Sequence, residues 1–313
     1  MAVTRLRQFV NHFQKKQPEV FNEYTEAIQT LVDRNFVEVV PDEILKAPPE
    51  RLQEDTIKFY LPHQGVKAPG KSLRVVFDGS SHIRNEASLN DMLHTGPLLL
   101  RPLISILWST RFNRYMICAD VEKAFLQVHL KQQSRDLVRF VWMRDPQKGY
   151  SEENLVTYRF TRVPFGLSCS PFLLNATVLY HLSNHPSELA EKILRGMYVD
   201  NLILTINSKE NVSSLCHDIK AMFNELHMNM RSFLVNDKEE FDKFPEADQG
   251  KWETQKVLGI QYDPETDEYI HIVNITEPPV ISKRSIAQAV ASTFDPLGVL
   301  SPLILPLKII QQE

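Results

Sequence analysis

The chain has 313 residues, of which 43% are hydrophobic and 24% are charged, a composition that excludes a disordered chain and supplies a sizeable core. The net charge of −4 at pH 7 argues mildly against a protein built to bind nucleic acid. Between residues 67 and 162, however, 15 Lys and Arg stand against 9 Asp and Glu, so this segment could face a polyanion.

The first third of the chain is predicted to be helical and then extended. Apolar residues recur at helical spacing up to about residue 38, around a break at Pro18. Prolines at positions 41, 48 and 49 indicate an extended connector. After it we predict a strand at 57–61, a loop rich in Pro and Gly through Gly70, a strand at 73–77 and a helix at 98–108.

The middle of the chain alternates strands and helices. Strands are predicted at 115–120, 138–143 and 155–160, with a short helical piece at 134–137. Ser170 followed by Pro171 is typical of a helix N-terminus, and this helix should end near residue 183. A further helix precedes residue 196, and another is predicted at about 211–226. This order of elements is that of a split βαβ sheet.

Residues 196–204 predict a β-hairpin. Two short apolar runs flank the polar pair Asp200-Asn201, whose residues tolerate positive φ, so we expect the pair at the exposed tip. Ordinary turn chemistry is the more common explanation for such a pair. A second acidic strand end lies far upstream, at Asp120. If the two strand ends meet, two carboxylates lie where a metal ion needs oxygen ligands.

Two other patterns are weighed and set aside. His181 and His185 have a spacing that can chelate zinc, but no Glu or Cys accompanies them in the pattern that metalloenzymes use, so we expect no metal site there. The run 237–268 holds 11 acidic and 4 basic residues. It lacks the ligand order of a calcium loop, and we expect a solvated insertion.

Cysteine content and hydropathy bear on the cellular compartment. The three cysteines are too few and too widely spaced for a disulfide framework or a zinc knuckle, which fits a reducing compartment. No stretch approaches the ~18 uninterrupted apolar residues of a membrane span, and the first residues lack a signal-peptide core. We therefore expect an intracellular protein, cytoplasmic by default, without a membrane partner.

Seven blocks of sequence stand out along the chain. They are LRVVFDGS, SLNDMLHTGP, ADVEKAFLQV, RFTRVPFGLSCSPFLLN, MYVDNLIL, KVLGIQYD and FDPLGVLSP. In this order and near this spacing they resemble the reverse transcriptase of Bel/Pao-type LTR retrotransposons. The resemblance covers about residues 5 to 310.

The resemblance implies an α+β fold, the polymerase right hand, in which a palm with the split βαβ sheet joins fingers and a partial thumb. It implies a helical lead-in at 1–45, fingers at 46–114, a palm at 115–280 that includes returning fingers strands at 138–160, and the truncated start of a thumb or connection at 281–313. Nothing in the sequence resembles the protease, RNase H or integrase that accompany this polymerase, so we expect none of them.

The chemistry implied by the resemblance is that of an RNA-directed DNA polymerase, a nucleotidyltransferase. Two Mg²⁺ ions about 3.5–4 Å apart, or Mn²⁺ in their place, stabilise the entering and leaving oxygens of nucleotidyl transfer. Asp120 and Asp200 match the metal-binding aspartates, Asn201 completes the catalytic group, and the carbonyl of Val121 would add a ligand. The implied partners are an RNA or DNA template-primer and a dNTP, while the oligomeric state is not indicated. A helix N-cap or an exposed strand end is the structural alternative for Asp120.

Further positions of the family imply contacts with nucleotide and primer. Leu258-Gly259 resembles the primer-grip hairpin, which holds the 3′-end. The implied nucleotide-binding positions are two cations for the triphosphate, an aromatic under the incoming sugar and a loop beneath the nascent base pair: Lys71, Arg74, Phe125, Phe165 and Gly166. On the residues alone, a solvated cation and a core aromatic ring are the more common interpretations, and a turn before a helix is an ordinary one.

The chain departs from the family at two places. The family usually has two successive aspartates at the hairpin tip, where this chain has Asp200-Asn201; an amide brings no charge to hold Mg²⁺, so activity should fall sharply. Where the family has a basic strand, this chain reads MRSFLVNDK. The lysine that would protonate the leaving pyrophosphate as general acid therefore has only a shifted counterpart, Lys238.

Three hypotheses follow from the sequence. The first is an active RNA-directed DNA polymerase domain. The second is a catalytically weak or dead remnant that keeps the fold and binds nucleic acid through the basic segment 67–162. The third is an unrelated α+β binding module, which predicts that the Cα atoms of Asp120 and Asp200 lie far apart.

Overall fold

The computed structural model describes residues 1–45, 57–67, 70, 72–273 and 282–312, which form both helices and strands. No helix in this described part is both long and apolar enough to cross a membrane. The α-helices are α1 (Ala2–Lys16), α2 (Pro18–Asp33), α3 (Asp42–Leu45), α4 (Leu89–Met92), α5 (Leu103–Ser109), α6 (Ser170–Asn184), α7 (Glu188–Gly196), α8 (Val212–Glu225), α9 (Lys238–Phe241), α10 (Lys283–Ser292) and α11 (Ser301–Gln312). The strands are β1 (Val37–Val39), β2 (His63–Val66), β3 (Arg74–Phe77), β4 (Tyr115–Val121), β5 (Arg139–Met143), β6 (Leu155–Phe160), β7 (Met197–Tyr198), β8 (Asn201–Ile206), β9 (Met230–Val235), β10 (Gln255–Val257), β11 (Ile260–Asp263) and β12 (Glu268–Ile270).

These elements fall into two units, each formed by two separate stretches of the chain. Unit 1 contains residues 1–99 and 123–177, and unit 2 contains residues 100–122 and 178–313. Strand β4 therefore belongs to unit 2, although the residues before 100 and the residues directly after 122 belong to unit 1. Asp120 and Asp200 are both in unit 2.

The first two helices of unit 1 confirm the predicted helical segment and its break. Helix α1 ends at Lys16 and α2 begins at Pro18, which occupies the first helical position, where its missing N–H leaves no intrahelical bond unmade. One face of each helix is buried, with Leu6 and Val10 on α1 and Tyr24 among those on α2. Together with the strands of this unit they build one core.

The sheets of unit 1 differ from the prediction between residues 57 and 66. The sheet β1-β6-β5 contains the predicted strands β5 and β6 together with β1, which lies where the predicted helical segment ends. The segment 57–61, predicted as a strand, contributes only a single bridge, from Tyr60 to Arg139. The segment predicted as a loop instead contains β2, which pairs with β3. Gly65 in β2 made this strand look like a loop, yet the glycine lies under the Tyr24 ring, which a Cβ would meet at 3.0 Å.

Two arginines are buried in unit 1 and share acidic partners. Arg139 on β5 is 1% exposed, and Arg159 on β6 lies opposite it in the strand register. They donate hydrogen bonds to Oδ1 of Asp136 at 3.1 and 2.9 Å, and Arg159 also donates to Glu38 at 2.7 Å. Burial raises the pKa of Asp136, but the hydrogen bonds and charges of both arginines outweigh burial and hold that pKa below its ordinary value. Part of the basic excess at 67–162 is therefore neutralised inside the unit.

A buried histidine lies at the centre of the aromatic core of unit 1. Nδ1 of His63 accepts a hydrogen bond from the Tyr24 hydroxyl, and Nε2 donates to the carbonyl of Val141 at 2.9 Å. The His63 ring contacts the rings of Phe77, Phe140 and Trp142. Burial lowers the pKa of His63 to about 4, although the hydrogen bond to Val141 opposes this shift. The imidazole is therefore neutral at pH 7.

Unit 2 is built around β4. Its main sheet has the order β7-β8-β4-β9 with antiparallel neighbours, so β4 is covered on both edges. After β4 the chain passes through β5 and β6 of unit 1 and then forms α6 and α7, the β7–β8 hairpin, α8 and β9. Apart from that excursion, this is the predicted order of strand, helix, hairpin, helix, strand. Helix α8 buries Cys216, Ile219 and Phe223.

The acidic segment 237–268 is more structured than the expected solvated insertion. It contains α9 and the sheet β10-β11-β12, and it buries Phe241, Val257 and Tyr262. Lys220 and Lys209, which lie outside the segment, form ion pairs with acidic residues inside it. The apolar residues between the charges were the signal for this small sheet.

The buried His63 predicts a pH-dependent stability. Its pKa in the folded chain is lower than the ordinary value near 6.5, so the folded state binds this proton less well than the unfolded state does. The contribution is complete above about pH 6.5 and is lost as the pH falls through the folded pKa. We expect the free energy of unfolding of unit 1 to fall by about 3 kcal/mol between pH 7 and pH 4 because of this group.

Urea unfolding of the chain and of His63→Gln across this pH range measures the effect. His63→Gln should be less stable than the chain at pH 7, and its free energy of unfolding should no longer show the fall between pH 7 and pH 4 that His63 causes. His12→Gln, which replaces an exposed histidine of the same unit, should still show this fall. Parallel pH profiles for the chain and His63→Gln would contradict the assignment.

Candidate functional site

The predicted acidic strand ends meet in unit 2. Asp120 near the end of β4 lies opposite Asn201, the first residue of β8, in the antiparallel register. The backbone N–H of Val121 donates to the carbonyl of Asp200 at 2.8 Å. Asp120 on β4 and Asn201 on β8 are therefore neighbours on adjacent strands, with Asp200 directly before Asn201, although about 80 residues separate Asp120 from this pair in sequence. The third hypothesis predicted distant Cα atoms for the two aspartates, which this pairing contradicts.

The hairpin forms as predicted, but its turn is one residue earlier than expected. Met197 pairs with Leu202 and Tyr198 with Asn201, so the two turn residues are Val199 and Asp200 rather than Asp200 and Asn201. Val199 adopts a φ of +56°, which a β-branched residue rarely takes. Asn201 is not at the tip but begins a strand. The preference of Asn for turns was misleading, because the pairing of β8 with β4 sets the register.

A close backbone approach positions this hairpin. Gly196 ends α7 directly before β7, and a Cβ at this glycine would collide with the carbonyl oxygen of Ile203 on β8. Only glycine therefore allows the helix end and the returning strand to lie this close. Ser187 caps the other end of α7 by accepting a hydrogen bond from the N–H of Ala190.

The third strand of the site places an arginine opposite Asp120. On β9 the register changes from Cys118 opposite Leu234 to Asp120 opposite Arg231, so β9 has one residue more than β4 over this stretch. Ser232, with a φ of +55°, lies in this bulge. Without the extra residue, regular pairing would place Ser232 opposite Asp120. The bulge is thus the reason that a cation, rather than a hydroxyl, faces the carboxylate.

Charges and hydrogen bonds link these residues loosely. Nε of Arg231 lies 3.6 Å from Oδ2 of Asp120, and Nη1 of the same arginine lies 3.8 Å from Oε1 of Glu122. Nε is shielded from solvent and has no hydrogen-bond partner among the residues that the structure describes. The amide of Asn201 donates to Oδ1 of Asp200 at 2.8 Å. Both aspartates thus interact with a donor, yet neither is locked into a tight ion pair.

This donor set fits a divalent cation. Asp120 on β4 and Asp200 in the β7–β8 turn are half-buried and carry carboxylate oxygens, and the amide oxygen of Asn201 is available because its NH₂ group bonds to Asp200. Hard cations such as Mg²⁺ prefer oxygen ligands of this kind. Arg231 opposes the negative charge of the pair, and Asn201 adds none, so the site holds a cation less firmly than three carboxylates would.

The structure does not bring Lys238 to this end of the sheet. Strand β9 runs from Met230, opposite Val121, to Val235, opposite Ile117, and Lys238 follows at the far end. Its ammonium lies 2.6 Å from Asp242 and over the rings of Phe241 and Trp252. The basic side chain that the sheet does place beside Asp120 is Arg231, which the sequence comparison with the family did not single out.

Two of the residues that the resemblance implies for nucleotide binding, Phe125 and Phe165, contact each other in unit 1. The rings of Phe125 and Phe165 meet edge to face with centroids 5.0 Å apart, Phe165 being exposed and Phe125 half-buried. Gly166 has a φ of +93°, and a Cβ there would collide with the carbonyl oxygen of Phe77. Phe125 therefore packs against another aromatic ring and is also accessible.

Asn90 holds the loop that carries Phe165 and Gly166, a role that the sequence did not reveal. Its Nδ2 donates to the carbonyl of Gly166 at 3.0 Å, and its Oδ1 accepts from the N–H of Ser168 at 2.9 Å. Ser170 was predicted to cap α6, but its hydroxyl donates to the carbonyl of Pro164 instead. Asn90 of the SLN block thus fixes a loop that is distant in sequence.

The remaining predicted residues lie on strands and turns. Arg74 is exposed on β3, and Lys71 lies outside the described residues. Leu258 and Gly259 form the turn between β10 and β11, with φ values of +47° and +93°. A Cβ at Gly259 would meet the ring of Phe294 at 2.7 Å, so this turn packs directly against an aromatic residue of the same unit.

Comparison with known families gives two matches. Residues 67–233, more than half of the chain, match the family described as reverse transcriptase (RNA-dependent DNA polymerase). Residues 282–313 match the family described as Pao retrotransposon-like RNaseH-like domain. The second match corrects the expectation that nothing in the sequence resembles an RNase H. No curated protein matches the chain.

The position of Arg231 predicts that it weakens cation binding at Asp120. Replacing Arg231 by Gln removes a positive charge next to the carboxylate, and because exposed charge pairs are worth about 0.2–1 kcal/mol, we expect Mn²⁺ to bind about 1.4- to 5-fold more tightly. Titration of Mn²⁺ followed by electron paramagnetic resonance measures the free ion. Arg114→Gln, at the opposite end of β4, should leave the affinity unchanged. Equal affinities for the chain and Arg231→Gln would exclude this effect.

Proposed function

The chain belongs to the reverse transcriptase family, and from this premise we propose that it is an RNA-directed DNA polymerase domain that extends a primer on an RNA or DNA template. The two family matches together are those of a Bel/Pao-type retrotransposon pol protein. The proposed substrates are a template-primer and a dNTP. The fingers, palm and thumb boundaries and the right-hand arrangement stay predictions.

The observation that carries this proposal is the pairing at the end of β4. Backbone hydrogen bonds bring the chain at Asp120 next to the chain at Asp200-Asn201, with Asp120 opposite Asn201 and the N–H of Val121 bonded to the carbonyl of Asp200. Such positioning depends on the sheet and not on flexible side chains. Polymerisation of nucleotides requires carboxylates held in this way, because its catalysis is mainly positioning and charge stabilisation.

We propose that Mg²⁺ is the cofactor and that Asp120 and Asp200 hold it. The amide oxygen of Asn201 and the carbonyl of Val121 would complete the set of protein ligands. When bound, such ions stabilise the charge that develops on the attacking and leaving oxygens. The pairing of β4 with β8 fixes the backbone positions of Asp120 and Asn201, and Asp200 directly precedes that strand, so we expect the backbone to move little when the ion binds.

We assign supporting roles to residues within each unit. In unit 1 the exposed ring of Phe165 and the neighbouring ring of Phe125 are suited to contact the base and the sugar of a nucleotide. The exposed cation Arg74 is suited to contact the triphosphate. Lys71 keeps the same proposed role on the strength of the family resemblance. In unit 2 the Leu258-Gly259 turn is proposed to hold the primer 3′-end. Lys238 remains the proposed general acid only if β9 and the segment after it rearrange, because its present partner is Asp242.

A second candidate function rests on the charges at the site. Asn201 stands where the family has an acidic residue, and Arg231 opposes Asp120, so the site carries less negative charge than three carboxylates provide. A chain of this kind can keep the fold and bind a template-primer without extending it. The alternative to an active polymerase is therefore a weak or dead remnant of a retroelement.

Primer extension distinguishes these two functions. A template-primer and dNTPs are incubated with the chain in Mg²⁺ and then in Mn²⁺, beside Asn201→Asp and Asp120→Ala. Because even a residue that only supports a metal ligand is worth about 10- to 100-fold in affinity or activity, Asn201→Asp should extend at least about tenfold faster than the chain. Asp120→Ala should abolish extension in both metals.

The control is Asn224→Asp, which makes the same chemical change at an exposed position on α8 and should not alter the rate. If the unmodified chain extends the primer and Asp120→Ala does not, the dead remnant is excluded. Extension by Asn201→Asp alone would assign this chain to the remnant class while supporting the location of the site. If neither protein extends a primer, the polymerase proposal fails for this chain.

A further inference from the structure

Two histidines and a glutamate lie together in unit 2, away from the candidate site. His181 is in the last turn of α6, His185 follows the end of that helix, and Glu225 is the last residue of α8. One ligand atom from each of the three residues lies within 4.8 Å of the other two. In the sequence no acidic residue accompanies the histidine pair in the pattern that metalloenzymes use. The fold supplies one from a helix about 40 residues later.

The contacts within this cluster leave a nitrogen without a partner. Nε2 of His181 lies 3.4 Å from Oε2 of Glu225, yet this buried nitrogen forms no hydrogen bond with any group in the described part of the chain. The His181 side chain is 12% exposed, whereas His185 and Glu225 lie at the surface. Buried polar atoms nearly always have a partner, so the orphaned nitrogen points to a ligand that completes the cluster.

We propose that His181, His185 and Glu225 bind one Zn²⁺ ion, with water in the fourth position. Imidazole nitrogen and carboxylate oxygen together form a ligand set that zinc uses, and two histidines four residues apart at a helix end offer their nitrogens on the same side. Mg²⁺ and Ca²⁺ prefer sites made only of oxygen and are poor competitors here.

The distances suit zinc after a small side-chain movement. Zinc bonds of about 2.0–2.1 Å in a tetrahedron place the ligand atoms about 3.3–3.4 Å apart. The separation of His181 and Glu225, 3.4 Å, has this value already. The rings of His181 and His185 lie beside each other with centroids 4.6 Å apart. His185 is exposed, so rotation of its side chain closes the remaining distance without moving the backbone.

The cysteines of the chain do not compete for the ion. Burial raises the pKa of Cys118 to about 12, and burial together with the charge of Glu240 raises that of Cys216 to about 12. Burial also raises the pKa of Cys169. Zinc binds the thiolate and not the thiol, so these three side chains are weak ligands at pH 7. The histidine cluster is then the preferred site for zinc in unit 2.

A zinc ion at this cluster would join the end of α6 to the end of α8. Helix α8 connects β8 to β9, the two strands that flank β4, and its buried face includes Phe223, two residues before Glu225. An ion that binds only the folded arrangement stabilises that arrangement. The proposed role is structural and does not depend on polymerase activity.

Titration of the full chain with Zn²⁺ tests the proposal. Excess Mg²⁺ occupies the oxygen sites, and a chromogenic chelator competes for zinc, so the assay gives stoichiometry and affinity. We expect one equivalent of Zn²⁺ per chain, and His185→Ala and Glu225→Gln should each weaken binding at least about tenfold. Zn²⁺ should also raise the midpoint of thermal unfolding by about 5 °C in the chain but not in His185→Ala.

The matched control is His217→Ala, which removes an exposed histidine of α8 outside the cluster and should bind zinc like the chain. His185 and Glu225 are exposed, so their substitution should leave the circular dichroism spectrum unchanged. Binding of less than half an equivalent overturns the proposal. So does one equivalent whose affinity is the same in the chain, His185→Ala and Glu225→Gln, since the ion would then bind elsewhere.

Discussion

The antiparallel pairing of β4 with both β8 and β9 is the constraint on which the candidate site depends. A strand with neighbours on both edges has its register fixed twice, and a slip of one residue would turn each side chain to the other face of the sheet. Asp120 meets Asn201 on one side and Arg231 on the other because of this double pairing. The bulge at Ser232 adds a local adjustment that regular pairing would not provide. The electrostatics of the site thus follow from backbone geometry.

The sequence predicts the elements of the site well, because its signals there are local. Short continuous apolar runs identify β4 and β8, and the helices before and after the hairpin follow their own apolar periodicity. Asp120, Asp200 and Asn201 could be named because they end or begin such runs. The turn position could not be named, since the preference of Asn for turns points one residue too far. The pairing partner decided the register, and it lies about 80 residues away.

Interactions between distant residues account for what the sequence did not show. Arg231 faces Asp120 only because Ser232, which is neither Gly nor Asn, adopts a positive φ in a bulge. Glu225 joins the histidine pair across two helices, and Asn90 fastens a loop that lies more than 70 residues further along the chain. Arg139 and Arg159 belong to the basic segment 67–162 that could face a polyanion, but both are buried and form ion pairs with Asp136. Composition reports the charges of a segment and not their partners.

The division of unit 2 into two stretches of chain has a consequence for biosynthesis. Strand β4 leaves the ribosome long before either neighbour exists, because β8 begins about 80 residues after β4 ends. At about 5–20 residues per second, translation of that interval takes about 4–16 s. During this time the apolar strand has two unpaired edges, which are templates for wrong association with other chains. Helices α6 and α7 and the later part of unit 1 emerge in the same interval, so nascent chains arrested before residue 200 should depend on chaperones far more than the finished protein does.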